Sequence, residues 1–270
     1  MHSFTEAVIR HAWSVGPGRA AIRAIRETRL FGPFLQSWSD YRVPYHSFAE
    51  AGSVAATKPV GYERCRSNIY IGDAEGLLPG DYAILFWLQQ ILPLTSQLFD
   101  YGGNIGVTYY AYSPYIQIPP RLRWTVCDID PFVAEGRRMA QERGIDQLRF
   151  SYNFVDGDGS EVFLVSGSLH YIETSMGEQL RQLERPPQHL LINRIPLIDG
   201  PETVTLQDIG EALLPCVIRN RKEFVQSIEQ AGYRLRDSWN VTEKQCTLPL
   251  YPDRSAYWYS GFYFQRLPGC

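Results

Sequence analysis

Phe99-Asp100-Tyr101-Gly102-Gly103-Asn104-Ile105-Gly106 is the stretch that decides the fold. It is a glycine-rich turn at the end of an apolar run, and an acid, Asp128, stands 22 residues after its last glycine at the end of a second strand-like run. Glycines let backbone approach a ligand closely, and an acid at that distance on the neighbouring strand is placed to grip a ribose diol. The stretch therefore predicts a nucleoside-bearing ligand at the carboxyl edge of an α/β sheet. A tight strand-to-helix turn with no ligand is the alternative for Gly102, Gly103 and Gly106, because glycine serves any φ > 0 position.

The surrounding sequence has the rhythm of a parallel sheet. Short strand-like runs at 97–100, 123–128, 148–155, 162–166 and 190–195 are separated by helix-sized segments. The crossover after Asp128 predicts a helix with Asp130 at its N-cap and Pro131 at its first position. Phe132, Val133, Gly136, Met139 and Ala140 share its inner face, and Gly144 closes it. Asp81 is expected to cap a helix at 82–92 that is apolar on nearly every face. Asn220 and Glu223 read as a capping-box-like start to a helix with Phe224, Val225, Ile228 and Ala231 as its stripe and Gly232 as its end. Aromatic runs at 233–239 and 257–265 then suit an antiparallel pair at the sheet edge. Residues 1–80, broken at Gly16-Pro17-Gly18, Gly32-Pro33 and Leu78-Pro79-Gly80, show no strand alternation and are expected to form a helical cap ahead of a core domain at 81–270.

Bulk properties narrow the function. With 270 residues a sizeable core is available, and a net charge of -3 gives no general electrostatic reason to expect nucleic acid or an anionic membrane as partner. Five scattered cysteines, odd in number and never paired as C-x-x-C, argue against a disulfide framework and a zinc site and for a reducing compartment. The first 30 residues lack a secretory pattern, and the apolar run at 82–88 is too short to span a bilayer. A basic helix at 5–29 reads as a solvated face rather than a membrane contact. The expectation is a cytoplasmic protein with no resident metal.

The identity of the ligand turns on Asp100. A nicotinamide enzyme normally shows G-x-G-x-x-G, whereas the glycines here are Gly102, Gly103 and Gly106. A carboxylate two residues before them would repel a pyrophosphate and attract an ammonium group. The run Asp100-x-Gly102-x-x-x-Gly106 resembles the first motif of class I S-adenosylmethionine-dependent methyltransferases, with Asn104 where a middle glycine is commonest. The form D-[FY]-G-G-[SN]-x-G is similar to a bacterial family of methyltransferases of unknown substrate. Arg123-Trp124-Thr125-Val126-Cys127-Asp128, Val165-Ser166-Gly167-Ser168-Leu169-His170-Tyr171-Ile172 and Leu190-Leu191-Ile192-Asn193-Arg194-Ile195-Pro196-Leu197 resemble its second, fourth and fifth strand motifs, and Gly232-Tyr233-Arg234-Leu235 and Tyr259-Ser260-Gly261-Phe262 fit its tail. The resemblance implies a Rossmann-like sheet ordered 3-2-1-4-5-7-6 with its last strand antiparallel. It also implies S-adenosyl-L-methionine as cofactor, S-adenosyl-L-homocysteine as product, and Asp128 as the ribose-binding acid.

The candidate site follows. Asp100, Gly102, Gly103, Asn104, Gly106, Asp128, Ile129, Asp156 and Ser166 are expected at the cofactor: Ile129 against the adenine face or in the core, Asp156 accepting from the adenine amino group or in a solvated turn. His170, leaving the fourth strand at its carboxyl end, is either a general base or structural. Tyr171, Asn193, Arg194 and Tyr109 are candidates for the acceptor: Arg194 pairs an anion of the acceptor or an internal partner, and the cluster Tyr109, Tyr110, Tyr112 and Tyr115 lines a pocket or fills the core. Arg64 and Tyr70 are placed to close over the cofactor's carboxylate. The expected reaction is methyl transfer to an O or N nucleophile of a small molecule, sugar or peptide, with a homodimer allowed. An NAD(P)-dependent oxidoreductase and a catalytically inactive S-adenosylmethionine-binding partner subunit are the alternatives.

Overall fold

A computed structural model describes residues 39–56, 76–209, 212–248 and 251–268. Most of the expected cap, including the helix at 5–29, Arg64 and Tyr70, lies outside them. Five strands, β1 (Gln97–Tyr101), β2 (Arg123–Cys127), β3 (Leu148–Ser151), β4 (Val162–Ser166) and β5 (His189–Ile198), form a parallel sheet in the order 3-2-1-4-5. Strand β3 stops at Ser151, earlier than expected, and a single 3₁₀ turn, Phe154–Gly157, follows it.

Alternate residues enter opposite cores, as strands buried on both faces require. Leu98, Val162, Leu164 and Leu191 face a cluster with α2 (Asp81–Ile91), α3 (Val107–Tyr112) and α4 (Asp130–Glu142), while Phe99, Phe163, Val165, Leu190 and Ile192 face one with α5 (Met176–Leu180) and α6 (Arg221–Glu229). The α4 stripe is buried as expected, and Gly144 adopts the left-handed conformation (φ 64°) just beyond the helix. Asn220 caps α6 by accepting from the Glu223 N–H at 3.0 Å.

Two expected caps differ. Ile129 is the N-cap of α4, with Asp130 and Pro131 inside the first turn, so the run of helical dihedrals starts one residue earlier than the Asp-Pro signal indicates. Asp81 is likewise the first residue of α2, and its carboxylate reaches back to the Leu78 N–H at 2.9 Å, capping the turn before the helix. Nor is α2 buried all round: Tyr82 and Phe86 are 64% and 55% exposed.

On the edge away from β4, strand β5 serves two partners. Residues His189 to Pro196 pair antiparallel with β9 (Tyr259–Arg266), which pairs in turn with β8 (Tyr233–Val241); its end, Leu197 and Ile198, pairs parallel with β7 (Leu213–Asn220). Counting the core strands alone, β8 and β9 occupy the sixth and seventh places, giving the expected order with the last strand antiparallel. The hairpin of β6 (Thr203–Asp208) and β7 is an addition that the sequence reading did not separate. Within the β5–β9 pairing the register shifts at Asn193 and Arg194, and Arg194 has φ 57°. A bulge of this kind re-aims a strand and its side chains. Helix α1 (Phe48–Ala55) packs on the hairpin through Ala51 against Leu206 and Leu213.

Arg219 of β7 binds the hairpin to the segment leaving β4. Its guanidinium is buried and donates to the carbonyls of Ile172 (2.6 Å), Glu173 (2.8 Å) and Thr174 (3.3 Å), with Glu202 3.2 Å away. Arg219→Met removes the side-chain donor from the Ile172 and Glu173 carbonyls, while that of Thr174 keeps Gln179, and urea denaturation should show a loss of about 2–4 kcal/mol; an unchanged midpoint would contradict this tie.

Candidate active site

The glycine turn joins β1 to α3. Gly102 and Gly106 have φ of 74° and 93°, and Asn104, at φ 58°, takes the left-handed conformation that asparagine tolerates better than most residues. A side chain at Gly102 would strike Ser168, and one at Gly103 would fall within 2.5 Å of the Asp100 carboxyl carbon. The turn is thus pressed between the end of β1 and the segment after β4.

Asp100 lies under this turn, fully buried, and lines neither cavity described below. Its Oδ2 accepts from Thr108 and from Trp124 Nε1 at 3.1 Å, while Oδ1 has no partner among the described residues. Burial pushes its pKa up to about 6 against the pull of those two donors. The glycine turn therefore separates its carboxylate from the cleft.

Asp128 follows β2 and locks the turn from the other side. Its Oδ2 accepts from the Asn104 N–H and its Oδ1 from the Ile129 N–H, both at 2.8 Å. Burial raises its pKa to about 6, opposed by those two N–H donors. Each oxygen keeps a lone pair, and the half-buried carboxylate lines a cleft of about 830 Å³ at the carboxyl edge of the sheet. Gly102, Ile129, Tyr152, Phe154, Ser168 and Tyr171 line the same cleft. Asp156 is exposed and is held by Ser151, outside that lining.

A second cavity, of about 370 Å³, adjoins the first and shares Tyr171 with it. Ser166, His170, Arg194, Gln207 and Lys244 line it, with Leu77, Val107 and Ala111 as apolar wall. Arg194, aimed by the β5 bulge, donates to Asp81 Oδ2 (2.7 Å) and Ser166 Oγ (2.9 Å) and lies 3.8 Å from Glu243. Burial alone would lower its pKa, but Asp81 raises it. The internal ion pair is thus the reading that holds for Arg194. Asn193 is buried, accepts from Trp239 Nε1 at 3.1 Å, and lines neither cavity.

His170 is 3% exposed, its ring 4.0 Å from that of Tyr171. Burial holds its pKa down near 3 despite a hydrogen bond with Gln207, so the imidazole is neutral at physiological pH and a weak proton acceptor. Tyr171 donates to Gln207 Oε1 at 2.6 Å. Tyr109 lies in the core against Trp124 with Tyr110 buried beside it, Tyr112 is buried and also lines the second cavity, and Tyr115 is exposed.

The sequence reading missed Tyr152 and Phe154, which the shorter β3 delivers to the cleft, and Phe48, Leu214 and Pro215, which α1 and the hairpin bring to it. Tyr152 and Phe154 were findable as the aromatics flanking a strand end; the other three carry no local signal.

The chain matches no protein-family model and no curated protein sequence. Among solved structures it is similar to the 1,6-didemethyltoxoflavin-N1-methyltransferase of Burkholderia thailandensis, crystallised with S-adenosylhomocysteine (21% identity, TM-score 0.47, over 70% of this chain and 78% of that one). It is also similar to a mitomycin 7-O-methyltransferase (17%, 0.46, 74% and 54%) and to the magnesium protoporphyrin IX methyltransferase of Synechocystis PCC 6803 (13%, 0.45, 69% and 80%). The function of the site is read from its own residues.

The buried carboxyl of Asp100 has a measurable signature. Its folded pKa of about 6 exceeds the ordinary 3.8, so the folded state holds the proton more tightly: the charge penalty is absent below 3.8 and complete above 6. From about pH 4 to about pH 7, Asp100→Asn should therefore gain on the wild type by on the order of 3 kcal/mol in urea titrations. A difference constant across that range would show that the carboxyl is not the group responsible.

Proposed function

We propose that this chain is a class I S-adenosylmethionine-dependent methyltransferase acting on an O or N nucleophile of a small molecule, sugar or peptide. The observation that carries the reading is Asp128: it binds the backbone of the glycine turn through Asn104 and presents its carboxylate to the cleft at the tip of the strand next to β1. An acid so held accepts from a vicinal diol without moving. Ile129, Tyr152 and Phe154 supply flat apolar surface for a purine beside it.

Charge supports S-adenosylmethionine over a dinucleotide. Asp100 buried under the turn and Asp128 beside it put two carboxyls around the loop, a charge that repels phosphate and favours a cationic ligand in the cleft. When bound, S-adenosylmethionine supplies an electrophilic methyl group on a sulfonium. What the protein contributes is alignment of the nucleophile and exclusion of water.

Thermal shift measurements should show stabilisation by S-adenosylhomocysteine and none by NADH. Asp128→Ala should weaken S-adenosylhomocysteine binding at least about ten-fold by calorimetry, as expected for losing hydrogen bonds to a charged partner. Stabilisation by NADH alone would sink the proposal.

A further inference from the structure

The chamber beside the cleft contains one cation without an ion-pair partner among the described residues and no proton acceptor open to it, and that combination specifies the acceptor. Asp81 is 3% exposed and fully engaged: Tyr112 donates to Oδ1 at 2.6 Å, and the Leu78 N–H and Arg194 donate to Oδ2. Tyr112 and Tyr259 are buried, which keeps both phenols protonated far beyond their ordinary range. His170 is packed against the rings of Tyr171 and Tyr259 with its Nδ1 buried away from the chamber, and its ring also hydrogen-bonds Gln207, so neither nitrogen is open to an acceptor. Glu243 accepts from the Gly80 N–H at 3.0 Å and lies outside the chamber lining. Lys244, by contrast, is exposed, lines the chamber and makes no ion pair with any described residue, and its charge reaches His170.

An alcohol, a phenol or an ammonium must give up a proton before or during methylation, and this wall has nowhere to put one. A carboxylate is already ionised at neutral pH. We infer that the chamber receives a small organic acid, oriented by Lys244, whose carboxylate is the methyl acceptor and whose product is a methyl ester. The inference rests on the methyltransferase reading above. A lone pair of the carboxylate oxygen forms the new O–CH₃ bond as the methyl–sulfur bond breaks; that bond's electron pair stays on sulfur, leaving a neutral thioether, and no proton moves. The reaction cancels one negative and one positive charge, which a chamber with apolar walls at Leu77, Val107 and Ala111 favours over water.

The chemistry has a second source within the same complex, the α-carboxylate of the methyl donor itself, and the test separates the two. Benzoate, phenol and benzylamine are titrated calorimetrically into the full chain saturated with S-adenosylhomocysteine. Benzoate should bind at least about ten-fold more tightly than either of the others. Lys244→Met should weaken benzoate at least about five-fold while S-adenosylhomocysteine affinity stays within about two-fold. Normal S-adenosylhomocysteine binding with no preference for benzoate would overturn the ester alone. A Lys244→Met loss falling on S-adenosylhomocysteine rather than on benzoate would assign the chamber to the methyl donor and overturn it too. Failure of the wild type to bind S-adenosylhomocysteine would overturn the underlying methyltransferase reading.

Discussion

The buried pair of Arg194 and Asp81 is the interaction on which the rest of the site depends. It joins residues 113 apart in sequence, one in the bulge of β5 and the other at the start of α2. Taking two charges out of water costs as much as their attraction returns, so such a pair contributes little net stability, yet removing one partner costs about 3–5 kcal/mol. What this pair supplies is position. Tyr112, Asn193 and the Leu78 backbone all donate to Asp81, and Ser166 accepts from Arg194, so α2, α3, β4 and β5 are fixed to one another at one wall of the chamber. The left-handed backbone at Arg194 is part of the same device: φ 57° costs strain for an arginine, and the side chain it aims is the one that closes the network.

A second constraint operates at the glycine turn. Asp100 from below and Asp128 from the side hold a loop whose own backbone is in the left-handed region at three positions. Both carboxyls are raised by burial to about 6, so the loop carries an electrostatic penalty at neutral pH that a cationic ligand would relieve. Stability is sacrificed here for a field of defined sign, as is common at binding sites. The glycine at 103 is required by the carboxyl beneath it as much as by any ligand above it.

Much of this was legible in the sequence. The succession of short apolar runs and helix-sized segments marked the five parallel strands, and the stripe Phe132, Val133, Gly136, Met139 and Ala140 marked α4, because local patterning is set by which faces are buried. Asp128 was legible because its spacing from the turn is imposed by one strand-helix-strand unit. The β6–β7 hairpin was not, since its attachment to the sheet is a two-residue pairing at the end of β5 and β7 carries Pro215 within an apolar run. The caps were misplaced by one residue because an acidic side chain in the first turn satisfies the same field as one at the N-cap. His170 looked like a base from its position at the strand end; its burial, decided by Tyr171 and Tyr259 packing on it, was beyond any local pattern.

The cleft and the chamber divide their work, and Tyr171 stands in the wall of both. On the cleft side the charged groups are carboxyls, which suits a cation; on the chamber side Asp81 neutralises Arg194 and leaves Lys244 as the unpaired charge, which suits an anion. Opposite fields on the two sides of one residue draw oppositely charged partners toward their shared wall, and that is the geometry a displacement between a sulfonium and a carboxylate needs. A base would add nothing to such a reaction. Burial of His170 then reads as construction rather than as a catalyst shut away: the ring fills space between Tyr171 and Tyr259, and its hydrogen bond with Gln207 sets the same amide that accepts from Tyr171. On the methyl-ester proposal, the residue that looked most like the chemistry in the sequence holds the wall against which the chemistry would occur.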